Sequence, residues 1–336
     1  MNSPLVRHNW TYEEVHALYS QPFLDLLLQA QQLHRQCFPA NEIQAATLFN
    51  IKRGGCPEDC AWCGQSVYNE TGVTRDPIAT TEEVVARAKL AKDQGATRFC
   101  LAAAWRSPTE SNFEKTIDMV KGIKSLGLEA CITVGQLKPE HAKALKEAGL
   151  DFYNHNLETS EKHFSSLTTT RTYQDRLTTV KNVREAGINV CCGGILGMGE
   201  KLEDRLELLI TLANLPEHPE SVPINHLVSI PGTPLENAPK IPPLEFVRCV
   251  AVARIMMPYS YVRLSGGRVT MSDEQQALCF MAGANSIHMA GKMLLVTPNV
   301  DVEEDYVLLN NLGISLQGSP KSALKVSKNI PCVTNN

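Results

Sequence analysis

One rhythm runs through most of the chain and limits what it can fold into: an apolar or β-branched stretch, a helical pattern and a glycine, repeated from about Ala46 onward. Gly95, Gly127, Gly149, Gly187 and Gly283 each stand between a helical pattern and the next apolar run. A glycine just past a helix end is the usual left-handed cap. Start signals match these stops, at Thr80 with Glu83, at Pro139, and at Ser272 with Gln275. Between them, Phe113, Ile117, Val120 and Ile123 recur at the spacing of one buried helical stripe. Strands that alternate with helices run parallel, because each helix carries the chain back to the same end of the sheet.

Eight candidate strands can be counted, at 46–52, 97–102, 129–134, 152–158, 189–197, 221–228, 260–267 and 285–291. Eight such units predict an α/β chain closed into a (β/α)8 TIM-type barrel. A doubly wound open sheet would alternate too, but its glycine-rich dinucleotide fingerprint is missing after the first strand. Two short helices precede the repeats, one opened by Thr11 and Glu14 in capping-box spacing, the other running from near Pro22 to about Cys37. The expected organisation is an N-terminal helical extension over 1–42, the barrel over 43–317, and a polar, aperiodic tail over 318–336 expected to be poorly ordered.

Composition excludes several classes of function. With 43% hydrophobic and 20% charged residues and a net charge of -4, the chain offers no basic surface for nucleic acid. No window reaches the roughly 18 apolar residues of a membrane span, and the N-terminus lacks a secretory apolar core, so a cytoplasmic protein is expected. Eleven cysteines in such a chain point to metal or cluster ligation, since disulfide frameworks belong to small secreted domains.

The densest cysteine signal is Cys56-Pro-Glu-Asp-Cys60-Ala-Trp-Cys63, directly after the first strand. In a barrel that loop lies at the C-terminal face, where active sites are built. Structural zinc wants four ligands, usually from two paired knuckles, and no nearby Cys or His completes the set. A structural zinc or redox loop is the plainer alternative. An iron-sulfur cube held by three thiolates leaves one iron open to a small molecule.

A second set is spread over the strands. Cys100, Cys131 and Cys191 fall inside the second, third and fifth candidate strands, and Arg263 inside the seventh. A lone buried cysteine is usually a small hydrophobe. Pointing inward, Cys131, Cys191 and Arg263 would share one layer of the barrel, with Cys100 beside it. A guanidinium stays protonated and has no lone pair, so by itself Arg263 reads as an anion clamp. Cys192 has the opposite parity to Cys191, and the pattern alone does not choose which of them faces inward. Cys37, Cys249, Cys279 and Cys332 have no partners at motif spacing, and Cys249 and Cys279 read as helix core.

The fourth candidate strand places Asn154, Asn156 and Glu158 on one face by the two-residue period. So polar a stripe facing a barrel core is costly unless it binds something. Asn supplies both donors and acceptors, suited to a ureido group or a ribose edge, and Glu accepts from ribose hydroxyls. His155, of opposite parity, is expected to pack outside the cavity. The glycines of CCGGILGMGE read as permitting close backbone approach to a ligand.

The Cys56–Cys63 spacing, with an aromatic residue before the last cysteine, resembles the radical S-adenosylmethionine superfamily. The wider set of motifs resembles the biotin synthase family within it: IKRGGCPEDCAWCGQS, TRFCLAAAW, LEACITVG, YNHNLETS, TTRTYQDRL, CCGGILGMGE, VPINHLV, YVRLSGGR and CFMAGANSI. That resemblance implies a 4Fe-4S cluster on Cys56, Cys60 and Cys63 with S-adenosylmethionine chelating its open iron. It also implies a 2Fe-2S cluster on Cys100, Cys131, Cys191 and Arg263, choosing Cys191 over Cys192. It implies adenosylmethionine contacts from Trp62, Asn156, Glu158, Arg176 and Ile195, with Arg176 on the carboxylate, and substrate contacts from Asn154, Asn156 and Asn225. The implied reaction converts dethiobiotin to biotin, with 5′-deoxyadenosyl radicals opening carbon–hydrogen bonds and the second cluster giving up sulfur. Cys56, Cys60, Cys63 and Arg263 would carry the catalysis.

Further expectations from the resemblance are an electron donor such as flavodoxin or ferredoxin, iron-sulfur assembly proteins as partners, and a homodimer. Glu158, Gly64 and Ala102 depart from the residues more usual in the family (Asp, Pro and Gly). Another radical barrel enzyme with a different small substrate would keep Cys56, Cys60 and Cys63 without needing the strand cysteines. A non-catalytic metal-binding or redox-sensing protein would leave the polar stripe unexplained.

Overall fold

Each helical repeat returns the chain to the same end of one sheet in the computed structural model, which describes residues 4–318. The barrel is built from β1 (Glu42–Lys52), β2 (Arg98–Ala103), β3 (Glu129–Thr133), β4 (Phe152–Asn154) and β5 (Asn189–Cys191). A short β6 (Gly194–Leu196) lies beside β7 (Ser221–His226), and β8 (Tyr261–Leu264) and β9 (Ser286–His288) complete the ring. All these pairings are parallel, and β9 returns to β1 through Gln44–Ser286, Ala45–Ile287 and Ala46–His288. The predicted (β/α)8 class is the fold observed.

Local signals account for the helices. Thr80 Oγ1 accepts from the Glu83 N–H (3.2 Å) at the start of α3 (Thr81–Asp93). Ser272 Oγ does the same for Gln275 (3.2 Å) ahead of α10 (Asp273–Met281). The glycines that end α3, α4 (Glu110–Ser125), α5 (Pro139–Glu147), α7 (Tyr173–Glu185) and α10 all have positive φ. At Gly283 the requirement is double, because φ is +93° and a Cβ would lie 2.6 Å from Arg254 Cγ.

Before the repeats, α1 (Tyr12–Tyr19) opens on the Thr11–Glu14 capping box, and α2 (Phe23–Cys37) follows. Arg248 donates through Nη1 to the Tyr19 and Gln21 carbonyls, and so ties the two helices to α9 (Pro243–Met256). Covered on its outer side as well as by the sheet, α9 buries Val247, Val250, Val252 and Ala253 together. That is why apolar residues occupy more than one face of it, with Arg248 and Arg254 engaged by backbone carbonyls. Cys249 and Cys279 are core residues of α9 and α10, as read from the sequence.

Three details depart from the sequence reading. The fourth strand stops at Asn154 instead of running to 158, and Glu158 has a φ of +72°. The fifth segment is broken into β5 and β6 at Gly193, whose Cβ would stand 1.9 Å from the Pro223 carbonyl oxygen. A Cβ on Gly194 would lie 2.3 Å from the Glu158 carbonyl oxygen. These two glycines therefore admit neighbouring backbone, not a ligand. After β9 the chain forms a small antiparallel hairpin, β10 (Met293–Leu294) with β11 (Thr297–Pro298), then α11 (Val302–Leu312) and β12 (Ser315–Leu316), which pairs with Glu42–Ile43. The expected tail lies, from residue 319 on, outside the described residues, as does Cys332.

Candidate active site

The cysteine loop is shaped before any ligand is considered. Gly54 and Gly55 turn the chain with φ of +66° and +64°, and a Cβ on Gly54 would lie 2.4 Å from the Thr74 carbonyl oxygen. Cys56 N–H donates to the Gln65 carbonyl (2.8 Å), and Asn69 Nδ2 donates to the carbonyls of Cys60 (3.1 Å) and Cys63 (2.9 Å). The two acidic residues between the first cysteines reach across to the loop after α6 (Glu161–Leu167). Asp59 accepts from the hydroxyls of Thr168 and Thr169 and from the N–H groups of Thr169 and Thr170, while Glu58 accepts from the Thr170 hydroxyl. Burial opposes ionisation of Asp59, but those donors together hold its carboxyl well below the usual range.

Cys63 lines a cavity of about 230 Å³ inside the barrel, and Cys56 and Cys60 lie buried beside it. Burial pushes the Cys56 thiol up and the Cys63 thiol to about 12. Ligation of a metal group there would have to displace these protons. Among the described residues no three Cys, His, Asp or Glu side chains converge tightly enough for a single metal ion. Three soft sulfur donors with no fourth protein ligand beside them suit an iron-sulfur cluster better than a structural zinc.

At the deep end of the same cavity stand Cys100, Cys131, Cys191 and Arg263. Register explains the convergence: Cys100 pairs with Cys131 between β2 and β3, Cys191 pairs with Ser221 between β5 and β7, and Arg263 pairs with Ser286 between β8 and β9. The Cys131 thiol donates to its neighbours, which pulls the Cys100 and Cys191 thiols down and pushes its own up; Arg263 and Arg98 reinforce the two lowered groups. Cys191 reaches about 5. Arg263 is itself buried, donating through Nε to Ser286 Oγ (2.8 Å) and through Nη2 to Gln44 Oε1 (3.0 Å). Cys192 instead packs into the apolar layer between sheet and helices, where burial raises its thiol. Three thiols and a fixed cation around one void are a donor set suited to a small iron-sulfur group.

Between the two cysteine sets lies the polar stripe. Asn154 Nδ2 donates to Asn156 Oδ1 (3.1 Å), and Asn156 Nδ2 donates to Glu158 Oε2 (3.4 Å), so the three share one wall although the strand ends at the first. Backbone bonds from Leu157 and Glu158 to the Gly193 carbonyl hold that wall in place (3.0 and 3.1 Å). Burial raises the Glu158 carboxyl, against the pull of Arg176, which stands 3.5 Å away. Asn225 lines the cavity with Trp62 and Ile195, and its amide is tied to the Gly194 carbonyl and the Gly266 N–H (both 2.9 Å). Leu294, Leu295 and Val296 of the hairpin close the wall beside Cys63.

Two further residues weighed in the sequence lie beside this wall. Arg176 is bonded to the Asn156 carbonyl, stands beside Glu158 and near Phe164, and keeps its buried Nε without a partner. His155 is buried away from the cavity, as its parity implied. Arg171 was not singled out from sequence, yet its Nη2 lies 2.9 Å from Cys60 Sγ. Only the pairing of the Thr168–Thr170 loop with Glu58 and Asp59 reveals it. No local pattern marks it.

Residues 51–212 match the Radical SAM superfamily, and residues 223–315 match the Biotin and Thiamin Synthesis associated domain. The chain is 55% identical to the biotin synthase of Marinobacter nauticus over 314 residues, covering 94% of this chain and 89% of that one. It is 56% identical to the biotin synthase of Methylococcus capsulatus, covering 94% and 96%. Among solved structures, methylornithine synthase superposes with a TM-score of 0.78 at 19% identity, covering 93% of this chain and 94% of that one. The FeFe-hydrogenase maturase HydG from Carboxydothermus hydrogenoformans gives 0.78 at 18%, covering 92% and 76%. These two likenesses concern the fold. Identity above one half along nearly the whole length, together with both domain matches, places the chain in the biotin synthase family of radical S-adenosylmethionine enzymes.

Proposed function

We propose that this chain converts dethiobiotin to biotin, holding a 4Fe-4S cluster on Cys56, Cys60 and Cys63 and a 2Fe-2S cluster on Cys100, Cys131, Cys191 and Arg263. The observation that carries the proposal is the single cavity with Cys63 at one end and the three strand thiols with Arg263 at the other. When bound, S-adenosylmethionine and its cluster supply hydrogen-abstracting radical chemistry, and the second cluster supplies sulfur.

The chain's own residues bind and orient. Asn154 and Asn225 present amide groups that can pair with a ureido ring, and Asn156 and Glu158 present acceptors to a ribose edge. Trp62, Ile195 and the hairpin residues Leu294 to Val296 give the cavity an apolar rim that excludes water from a reactive intermediate. Arg176 backs Asn156 and Glu158, and its buried, unpartnered Nε leaves a donor for the adenosylmethionine carboxylate. The barrel over 43–317 is the catalytic unit in this proposal, and α1 and α2 brace its outer face.

A soluble one-electron donor such as flavodoxin or ferredoxin, iron-sulfur assembly proteins and a second copy of the chain are the partners proposed. No described helix is long and apolar enough to cross a membrane, and we place the reaction in the cytoplasm. The test is anaerobic reconstitution with iron and sulfide, followed by adenosylmethionine, dethiobiotin and a low-potential reductant. Biotin together with 5′-deoxyadenosine is expected by mass spectrometry. Deoxyadenosine without biotin, in protein carrying both clusters, would move the substrate elsewhere.

A further inference from the structure

The guanidinium of Arg171, in the loop between α6 and α7, is largely buried, with Nη2 2.9 Å from Cys60 Sγ and Nε 3.6 Å from Glu58 Oε2. Glu58 is almost wholly buried, and its other oxygen meets Arg106 Nε at 3.3 Å. One carboxylate is thus shared between an inner and an outer cation. Burial opposes the charge on Arg171, but Cys60 and Glu58 more than offset it. Arg171 is not among the residues that line the cavity. Its polar contacts are with Cys60 and Glu58 of the ligand loop.

We infer that Arg171 is a positioning residue that sets the reduction potential of the iron-sulfur group on Cys60 by favouring the reduced form; this rests on the assignment of that group to Cys56, Cys60 and Cys63. When an external one-electron donor reduces the group, one electron is gained and negative charge rises by one unit over iron, sulfide and thiolates. A full positive charge and an N–H donor beside one of those sulfurs stabilise the more negative state, and hydrogen bonds to cluster sulfurs are among the known determinants of potential. Glu58 acts in the opposite sense, and its pairing with Arg106 moderates that effect.

The test is a dithionite titration of reconstituted full-length protein, with the reduced group followed by electron paramagnetic resonance and iron counted per chain. Arg171→Met is expected to lower the reduced-to-oxidised ratio at a fixed potential about tenfold, equal to a midpoint about 59 mV more negative for one electron. Arg171→Lys should recover part of that shift, and Glu58→Gln should move the midpoint to more positive values. Equal midpoints for Arg171→Met and the parent protein at equal iron content overturn the inference and leave the residue a structural one. If Arg171→Met does not retain iron, a Glu58→Gln midpoint at or below the parent value overturns it. Parent protein that takes up no four-iron group overturns the ligand assignment itself, and the inference with it.

Discussion

Arg263 Nε donates to Ser286 Oγ at 2.8 Å, and this bond from the neighbouring strand brings Nη1 to 4.0 Å from Cys191 Sγ. The charge is therefore fixed by the barrel wall before any cluster is present. Arg263→Leu removes one of the causes that hold Cys191 down, leaving the Cys131 hydrogen bond and Arg98. The midpoint of iodoacetamide alkylation at Cys191 in cluster-free protein is expected to rise by about one pH unit or more. An unmoved midpoint would remove Arg263 from the electrostatics of the deep site.

Adjacent cysteines should behave differently. Cys191→Ala is expected to yield little or no biotin while deoxyadenosine still forms, and Cys100→Ala should match it. Cys192→Ala, in the apolar layer outside the ring, should keep biotin formation within about twofold and cost about 1 kcal/mol of stability. Product analysis by mass spectrometry with thermal melting separates the two positions. Normal biotin formation by Cys191→Ala would sink the sulfur-donor assignment.

Asn156 bridges Glu158 and the Gly193 N–H (3.2 Å). Asn156→Ala is expected to weaken S-adenosylmethionine binding at least about tenfold, or ~1.4 kcal/mol, in equilibrium dialysis. Asn225→Ala should raise the KM for dethiobiotin more than the Kd for adenosylmethionine. The reverse ranking would exchange the two proposed roles.

Acid stability gives a separate handle. The folded-state pKa of Asp59 is depressed, so its contribution is present above the ordinary carboxyl value of 3.8 and is lost as pH falls toward the folded value. Asp59→Asn should lower stability by roughly 1–2 kcal/mol at pH 7, and the gap should narrow below about pH 4. Urea denaturation of cluster-free protein at pH 7 and pH 3 measures both. A constant gap would mean that lost geometry, not charge, is responsible.

Gly193→Ala places a methyl group 1.9 Å from the Pro223 carbonyl oxygen, and backbone on both sides cannot retreat cheaply. A loss of more than about 4 kcal/mol is expected, read as insoluble protein or a collapsed Tm. Gly199→Ala makes the contrast, because nothing stands within 4 Å of its Cβ position. Its φ of +85° still leaves a strain of about 1 kcal/mol.

The parts of this fold that sequence disclosed are those written in neighbouring residues. Thr80, Ser272 and the helix-ending glycines act over three or four positions, and the helix stops they predict are where the chain turns. The three cysteines of the loop are also local, whereas the strand cysteines are singled out by the family resemblance, since strand parity leaves Cys191 and Cys192 open. What escaped was set by partners distant in sequence. The break at Gly193 exists because Pro223 presses on it, and the φ of Glu158 follows from two bonds to the same glycine carbonyl. Arg176 Nη1 is held by Glu158 and the Asn156 carbonyl, contacts that no local pattern announces, and Arg171 is recruited by a loop over a hundred residues earlier.

The pairing of β1 with β9 also orders the maturation of the chain in time. Cys100, Cys131, Cys191 and Arg263 face one void only when the ring is shut, and the strand that shuts it against β1 ends at His288. A ribosome that has released the first 263 residues has made every deep ligand but no pocket to hold them. The proposed cluster of that pocket would then meet a finished barrel, whose openings decide what can enter.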